Sequence, residues 1–159
     1  MPDRYEPGSQ NAVGIAGLSE AVAWLLERKT EILRHDREIR ALMLDGLRSL
    51  DAFGPRAGSR GLRLLGPTDP DARVGVFSLS LESLSPAEFA GVLEQEFGIL
   101  SRAGLHCAPR AHAALGTAPE GGSVRLSIGP FVTPADVARV IQALSTLVRS
   151  PETAPVTAG

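Results

Sequence analysis

Between Leu18 and Leu50 the apolar residues Leu18, Val22, Leu25, Ile32, Ile39, Met43, Leu47 and Leu50 follow one another by threes, fours and sevens. That spacing lines side chains along one stripe of an α-helix. At about 1.5 Å per residue such a helix reaches roughly 50 Å. A chain of 159 residues has room for one core of ordinary size, and a helix of that reach outruns it. Part of the stripe is therefore expected to pack on something else. An apolar stripe left bare favours self-association.

The remaining segments are shorter. Residues 1–16, with Pro2, Pro7, Gly8 and Gly14 and few bulky apolar groups, read as an extended lead-in. The long helix is expected to stop at Phe53-Gly54-Pro55 and to give way to a Gly- and Arg-rich loop as far as Gly61. Leu62 to Leu65 reads as a short strand. Val74 to Leu81 reads as a second one, its apolar phase slipping between Val76 and Phe77 as at a bulge or in a strand covered on both faces. Ser85-Pro86-Ala87-Glu88 combines a capping serine, a proline at the first helical position and a glutamate that closes a capping box. It opens a helix with the apolar face Phe89, Val92, Leu93 and Phe97, ended by Gly98. The same start recurs as Thr133-Pro134-Ala135-Asp136, ahead of a stripe of Val137, Val140, Ile141, Leu144, Leu147 and Val148. Ser123 to Ile128 alternates, with Val124, Leu126 and Ile128 on one face and Ser123, Arg125 and Ser127 on the other. The order of elements predicts an α+β fold: a small, mostly antiparallel sheet covered by helices, with a long N-terminal helix. The organisation expected is a lead-in over 1–16, one domain over 17–150 and a disordered tail over 151–159.

Composition excludes several functions. The 16 basic and 18 acidic groups leave a net charge of −2, so no global field favours nucleic acid or anionic lipid. No apolar run approaches the roughly 20 residues of a membrane span. A single cysteine forbids an internal disulfide, and MPDRYEPGSQ lacks the basic and apolar regions of a signal peptide, which together predict a cytoplasmic protein. Lys29 is the only lysine and every other Lys/Arg position is arginine. Chemistry that needs a neutral amine therefore has one candidate.

Reactive residue types are densest in Arg102-Ala103-Gly104-Leu105-His106-Cys107-Ala108-Pro109, with His112 and Gly116-Thr117 following. An ordinary free thiol is only about 3% thiolate at pH 7, and cations or hydrogen bonds raise that fraction. On residue types alone Cys107 reads first as a small buried apolar residue, the ordinary state of a lone cysteine. His106 need not reach the thiol, because successive residues of an extended segment point to opposite sides. A Cys–His protease pairing lacks an oriented base and an oxyanion hole. One cysteine with His106 and His112 lacks the paired spacing of a structural zinc site, so no metal is expected. His35 falls within the long helix. Arg125 reads either as an exposed arginine or as a guanidinium holding a carboxylate through two parallel hydrogen bonds. Gly8-Ser9 is a weak oxyanion-binding signal that a plain turn also accounts for.

Three stretches taken in order resemble the C-terminal part of the class V aminotransferase-type enzymes that depend on pyridoxal 5'-phosphate, in particular the cysteine desulfurase and selenocysteine lyase group. They are RYEPGSQNAVGIAGL at 4–18, RAGLHCAPRAHAALGT at 102–117 and GSVRLSIGPFVTPADVARVIQAL at 122–144. The resemblance implies the C-terminal small domain of a fold-type I enzyme. It implies that Cys107 is the flexible-loop nucleophile that takes sulfur from L-cysteine as a persulfide while alanine leaves. It implies that Arg125 holds the substrate carboxylate, that Arg102 assists near the reacting sulfur, and that Ser9 contacts the phosphate of a cofactor bound in the neighbouring subunit of a dimer. Serine stands at 9 where the family has threonine, and Val132 where relatives often have asparagine. The family's large domain, with its cofactor-binding lysine, is expected to precede residue 1, and Lys29 matches no motif for that lysine. The chain is thus expected to be a fragment, a split subunit or a truncated relative, inactive without a separate large domain that carries the cofactor. Implied partners are an amino acid substrate, that large domain or a dimeric partner, and a sulfur acceptor protein. Two other readings stand beside this one: a non-catalytic remnant or interaction domain, and part of an aminotransferase or lyase acting on another amino acid.

Overall fold

The computed structural model describes residues 8–51 and 61–149. The expected stop at 53–55, most of the following loop, the first part of the lead-in and the tail lie outside the described residues. Contacts divide the chain into two units at the step from His35 to Asp36.

The first unit is helical. Helix α1 spans Ala12–Glu27. Asn11 starts it by accepting a hydrogen bond from the Gly14 N–H at 3.0 Å, which satisfies one of the unpaired donors of the first turn. The helix therefore begins inside the segment expected to be extended. Gly14, one of the residues behind that expectation, lies in the first turn of the helix and gives its N–H to the Asn11 cap. None of the side chains of α1 is buried, and Val13, Ile15, Leu18, Leu25 and Leu26 are all exposed. Helix α2, Lys29–Ser49, follows after Arg28 alone. The expected single long helix is thus two helices, although the backbone bonds run through the join, with Arg28 N–H donating to Trp24 O and Ile32 N–H to Arg28 O. The Arg28 guanidinium lies 5.1 Å from the Trp24 ring centre, a cation–π contact. No glycine or proline marks this break.

The second unit is a four-stranded sheet packed by helices. The strands are β1 (Leu62–Leu65), β2 (Val76–Leu81), β3 (Arg102–Gly104) and β4 (Ser123–Ser127), in the order β1-β2-β4-β3 with every pair antiparallel. Leu62 and Leu64 of β1, Phe77, Leu79 and Leu81 of β2, and Val124 and Leu126 of β4 fill one face. They join Ile39, Met43, Leu44 and Leu47 of α2, Phe89 and Leu93 of α3 (Pro86–Phe97), and Val137, Leu144 and Leu147 of α5 (Pro134–Arg149) in one buried cluster. The phase slip anticipated near Val76 is no bulge: β2 begins at Val76, its register against β4 is unbroken through Leu79, and Val74 lies before the strand, exposed.

Helix α3 starts with a complete capping box. Ser85 Oγ accepts from the Glu88 N–H at 3.3 Å, and the Glu88 carboxylate accepts from the Ser85 N–H at 2.9 Å. Gly98, in the left-handed region at φ 61°, ends it. Thr133 and Asp136 repeat the reciprocal pair at α5. A short helix, α4 (Pro109–Leu115), falls in the reactive cluster, to which the sequence reading assigned no helix. Its proline at the start and Gly116 at the end were available signals. Arg40, half-buried, donates to the carbonyls of Pro70 and Arg73, and Arg37 pairs with Asp71 at 2.8 Å, which ties the 3-10 turn Pro70–Ala72 to α2.

Gly46 of α2 lies against Ile141 of α5, where an added Cβ would stand 2.4 Å from Ile141 Cγ1. Alanine is ordinarily the better helix former by about 1 kcal/mol. Here the collision with a stiff β-branched side chain reverses the sign, and Gly46→Ala should lower unfolding stability by about 1–3 kcal/mol. Chemical denaturation tests this. In an Ile141→Ala background the same change should be neutral or stabilising.

Candidate functional site

Strand β4 sets the site. Its alternation sends Val124 and Leu126 into the core and leaves Arg125 on the opposite face. The register places Ser78 of β2 opposite Arg125 on one side and Arg102 of β3 on the other. Two guanidinium groups therefore stand directly across from each other on one face, an arrangement that is destabilising without an anion. Neither arginine forms an ion pair with a carboxylate among the described residues. The Arg125 Nε is buried and has no hydrogen-bond partner there. The sequence pointed to both arginines, but their opposition depends on strand register, which residue types do not reveal.

Beyond β3 the chain turns at Leu105–Ala108, closed by the Ala108 N–H donating to Leu105 O at 2.8 Å. Its two central residues, His106 at φ 51° and Cys107 at φ 60°, are both left-handed. Each such residue with a Cβ costs roughly 1–2 kcal/mol. Cys107 is exposed and its sulfur is free. His106 is half-buried, its Nε2 3.0 Å from the Ser123 carbonyl oxygen. Because a carbonyl only accepts, Nε2 carries the proton and Nδ1 of the neutral ring is bare. Burial holds the His106 pKa below its ordinary value, and the positive surroundings of Arg125, His112 and Arg102 act in the same direction, partly offset by the Ser123 hydrogen bond.

The far end of this loop is anchored by His112, which is buried in α4. Its Nδ1 lies 2.7 Å from Thr117 Oγ1, a side chain that is itself buried. The rings of His106 and His112 are 6.1 Å apart between centres. Arg63 on β1 donates to Leu115 O at 3.4 Å, which links α4 to the polar face of the sheet. The structure thus brings Arg102, Arg125, His106 and the Cys107 turn together at the β3 edge. Ser9 lies in the other unit, exposed, just before α1. No group of three or more His, Cys, Asp or Glu side chains suited to a metal ion occurs among the described residues, and no described helix is long and apolar enough to cross a membrane.

The Aminotransferase class-V family model matches residues 1–140. The chain belongs to the class V aminotransferase family. It is 31% identical over 144 residues to a probable cysteine desulfurase of Aeropyrum pernix, a match covering 90% of this chain and 33% of that protein. It is 31% identical over 150 residues to the cysteine desulfurase CsdA of Escherichia coli, covering 90% and 32% respectively. The chain spans about a third of the length of the curated relatives it matches. Among solved structures it is similar to an apo cysteine desulfurase of Thermococcus onnurineus, with a TM-score of 0.76 at 24% identity over 93% of this chain and 34% of that one. It is also similar to CsdA in an S-sulfonic acid form, with a TM-score of 0.69 at 25% identity over 91% and 32%. The α+β fold with its antiparallel sheet is that of these enzymes.

The family implies pyridoxal phosphate, whose covalent anchor is a lysine amine. Lys29, the only amine-bearing side chain, is exposed on α2 and does not fit a covalent anchor in an enclosed site. The Arg125 Nε, buried without a partner among the described residues, and the facing Arg102 are donors of the kind that suit an anionic group.

Acidification charges His106 only against Arg125, Arg102 and His112. A group whose folded pKa is depressed in this way and whose neutral form is favoured contributes stability at higher pH, lost as pH falls below its ordinary value near 6.5. A nitrogen-15 NMR titration should place the His106 midpoint below that value. A midpoint above it would contradict the geometry.

Proposed function

We propose that this chain is the C-terminal small domain of a cysteine desulfurase-like enzyme, residues 17–150 forming that domain. It supplies a sulfur-accepting thiol and a carboxylate clamp to a site completed by a cofactor-bearing portion. The observation that carries the reading is the unpaired Arg102–Arg125 juxtaposition beside the turn that presents the single cysteine. The 31% identity to two desulfurases supports the choice of substrate.

In this reading the Arg125 guanidinium takes the carboxylate of L-cysteine through parallel charge-assisted hydrogen bonds, and Arg102 adds positive charge beside it. Ser9 offers a hydroxyl to the cofactor phosphate across a dimer. Bound pyridoxal phosphate supplies an electron sink that weakens the carbon–sulfur bond of the substrate. The Cys107 thiolate then attacks the substrate sulfur. A sulfur–sulfur bond forms as the carbon–sulfur bond breaks, and the electron pair stays with the carbon fragment, which takes a proton and leaves as alanine. Holding the carboxylate fixes the substrate sulfur relative to Cys107, and such positioning is worth several orders of magnitude in rate. The persulfide on Cys107, an exposed side chain, is then open to a sulfur acceptor protein.

The test uses the chain together with its cofactor-binding portion and follows alanine release from cysteine. Cys107→Ser should abolish desulfuration. If the serine variant instead keeps turning over an amino acid by transamination, the enzyme acts on another substrate. Arg125→Ala should lower kcat/KM for cysteine by on the order of 10–100-fold, mainly through KM. An unchanged KM would remove Arg125 from the carboxylate site. Stable association with the cofactor-bearing portion and no alanine release would leave a non-catalytic domain.

A further inference from the structure

The turn that carries Cys107 has a conformation its own residues do not favour. Positive φ at both central positions is the pattern of a mirror-image turn ordinarily built from Asn-Gly, whereas here the pair is His106-Cys107 at 51° and 60°. Nothing in the side-chain chemistry of cysteine selects that geometry, so the contacts around it must.

Two contacts do so. At Gly122, itself at φ 104°, an added Cβ would lie 2.2 Å from Gly104 O and 2.9 Å from Leu105 N. The lead into β4 therefore closes against the start of the turn only because position 122 carries no side chain. The second contact is the His106 ring, whose Nε2–H donates to the Ser123 carbonyl at 3.0 Å. Ser123 pairs with Gly104 across β3 and β4, so the ring spans from the apex of the turn back to the strand that carries Arg125. Burial of this ring is partial, and the groups facing it are Arg125 on β4, Arg102 on β3 and His112 on α4. None of them offers a carboxylate to compete for the Nε2 proton.

We propose that His106 is a positioning residue: its Nε2–H bond to the Ser123 carbonyl holds residues 105–108 in the left-handed turn and thereby sets where the Cys107 sulfur stands relative to Arg125. The functional meaning of this inference rests on the reading of Cys107 as the sulfur acceptor, but the arrangement itself does not. Glutamine reaches with an N–H close to where the imidazole Nε2 stands, whereas leucine fills similar volume with no donor. These two substitutions separate the hydrogen bond from packing.

The experiment is NMR on the isotope-labelled full chain, with His106→Gln and His106→Leu alongside. In the unsubstituted protein the ring nitrogens should report an Nε2–H tautomer, and the couplings and carbon shifts of His106 and Cys107 should report positive φ. His106→Leu should move Cys107 out of the left-handed region while the core resonances of Phe77 and Leu79 stay in place. His106→Gln should retain the wild-type signature at Cys107. An Nδ1–H tautomer in the unsubstituted protein overturns the proposal without recourse to any variant, so a failure of His106→Leu to fold does not shield it. A leucine variant with unchanged positive φ at Cys107 overturns it as well. No desulfuration assay enters, so this result and the fate of the proposed function are read separately.

Discussion

Strand β4 is hydrogen-bonded on both edges, to β2 and to β3, and its period-two alternation divides five residues between a core and a site. Val124 is fully buried and Leu126 nearly so, and both lock against Leu79 and Phe77 in the register. A slip of one residue would drive the Arg125 guanidinium into that apolar layer and put leucine and valine on the polar face, which the cost of burying an unpaired charge forbids. Core packing and site geometry are thus consequences of one pairing. Fully burying a side chain such as Phe77 or Leu79 contributes about 1.5–3 kcal/mol, and these contacts hold Arg125 and Arg102 opposed despite their like charge.

That opposition, together with the strained turn next to it, gives the β3 edge its character. Two arginines without carboxylate partners among the described residues, beside a histidine whose pKa burial lowers, make a locally positive region on a chain whose net charge is −2. An anionic ligand relieves it. The left-handed pair His106-Cys107 persists only because neighbouring contacts hold it, and local strain of this kind clusters at functional sites. The chain meanwhile contributes no enclosed amine, since Lys29 is exposed, which is consistent with the match to about a third of its relatives' length. The apolar side chains of α1 are exposed.

Much of the fold was legible because its signals are local. The capping boxes at Ser85 and Thr133, the glycine stop at Gly98 and the alternation of β4 all appear where the residues placed them. The misreadings have physical reasons. Asn11 caps α1 at Gly14, so the helix begins inside the expected lead-in. The join at Arg28 carries no breaker residue, and its break shows only in the backbone, with the Trp24 stacking beside it. Helix α4 is only seven residues long and has no capping side chain, so its sequence signals reduce to Pro109 at the start and Gly116 at the end. For the site, Cys107, Arg125 and Arg102 became candidates through the family resemblance, since residue types alone left Cys107 and Arg125 with ordinary structural readings. The facing of the two arginines, the His106 bond to Ser123 and the close approach at Gly122 depend on register and on positive φ, which no sequence pattern here encodes.

The account centres on Cys107 as the atom that receives sulfur. Its most direct test is mass mapping of the chain after exposure to L-cysteine in the presence of the cofactor-bearing portion. The account predicts that the peptide containing Cys107 gains one sulfur atom, removable by a reductant, in step with the alanine formed. Alanine release with no sulfur on Cys107 would contradict it.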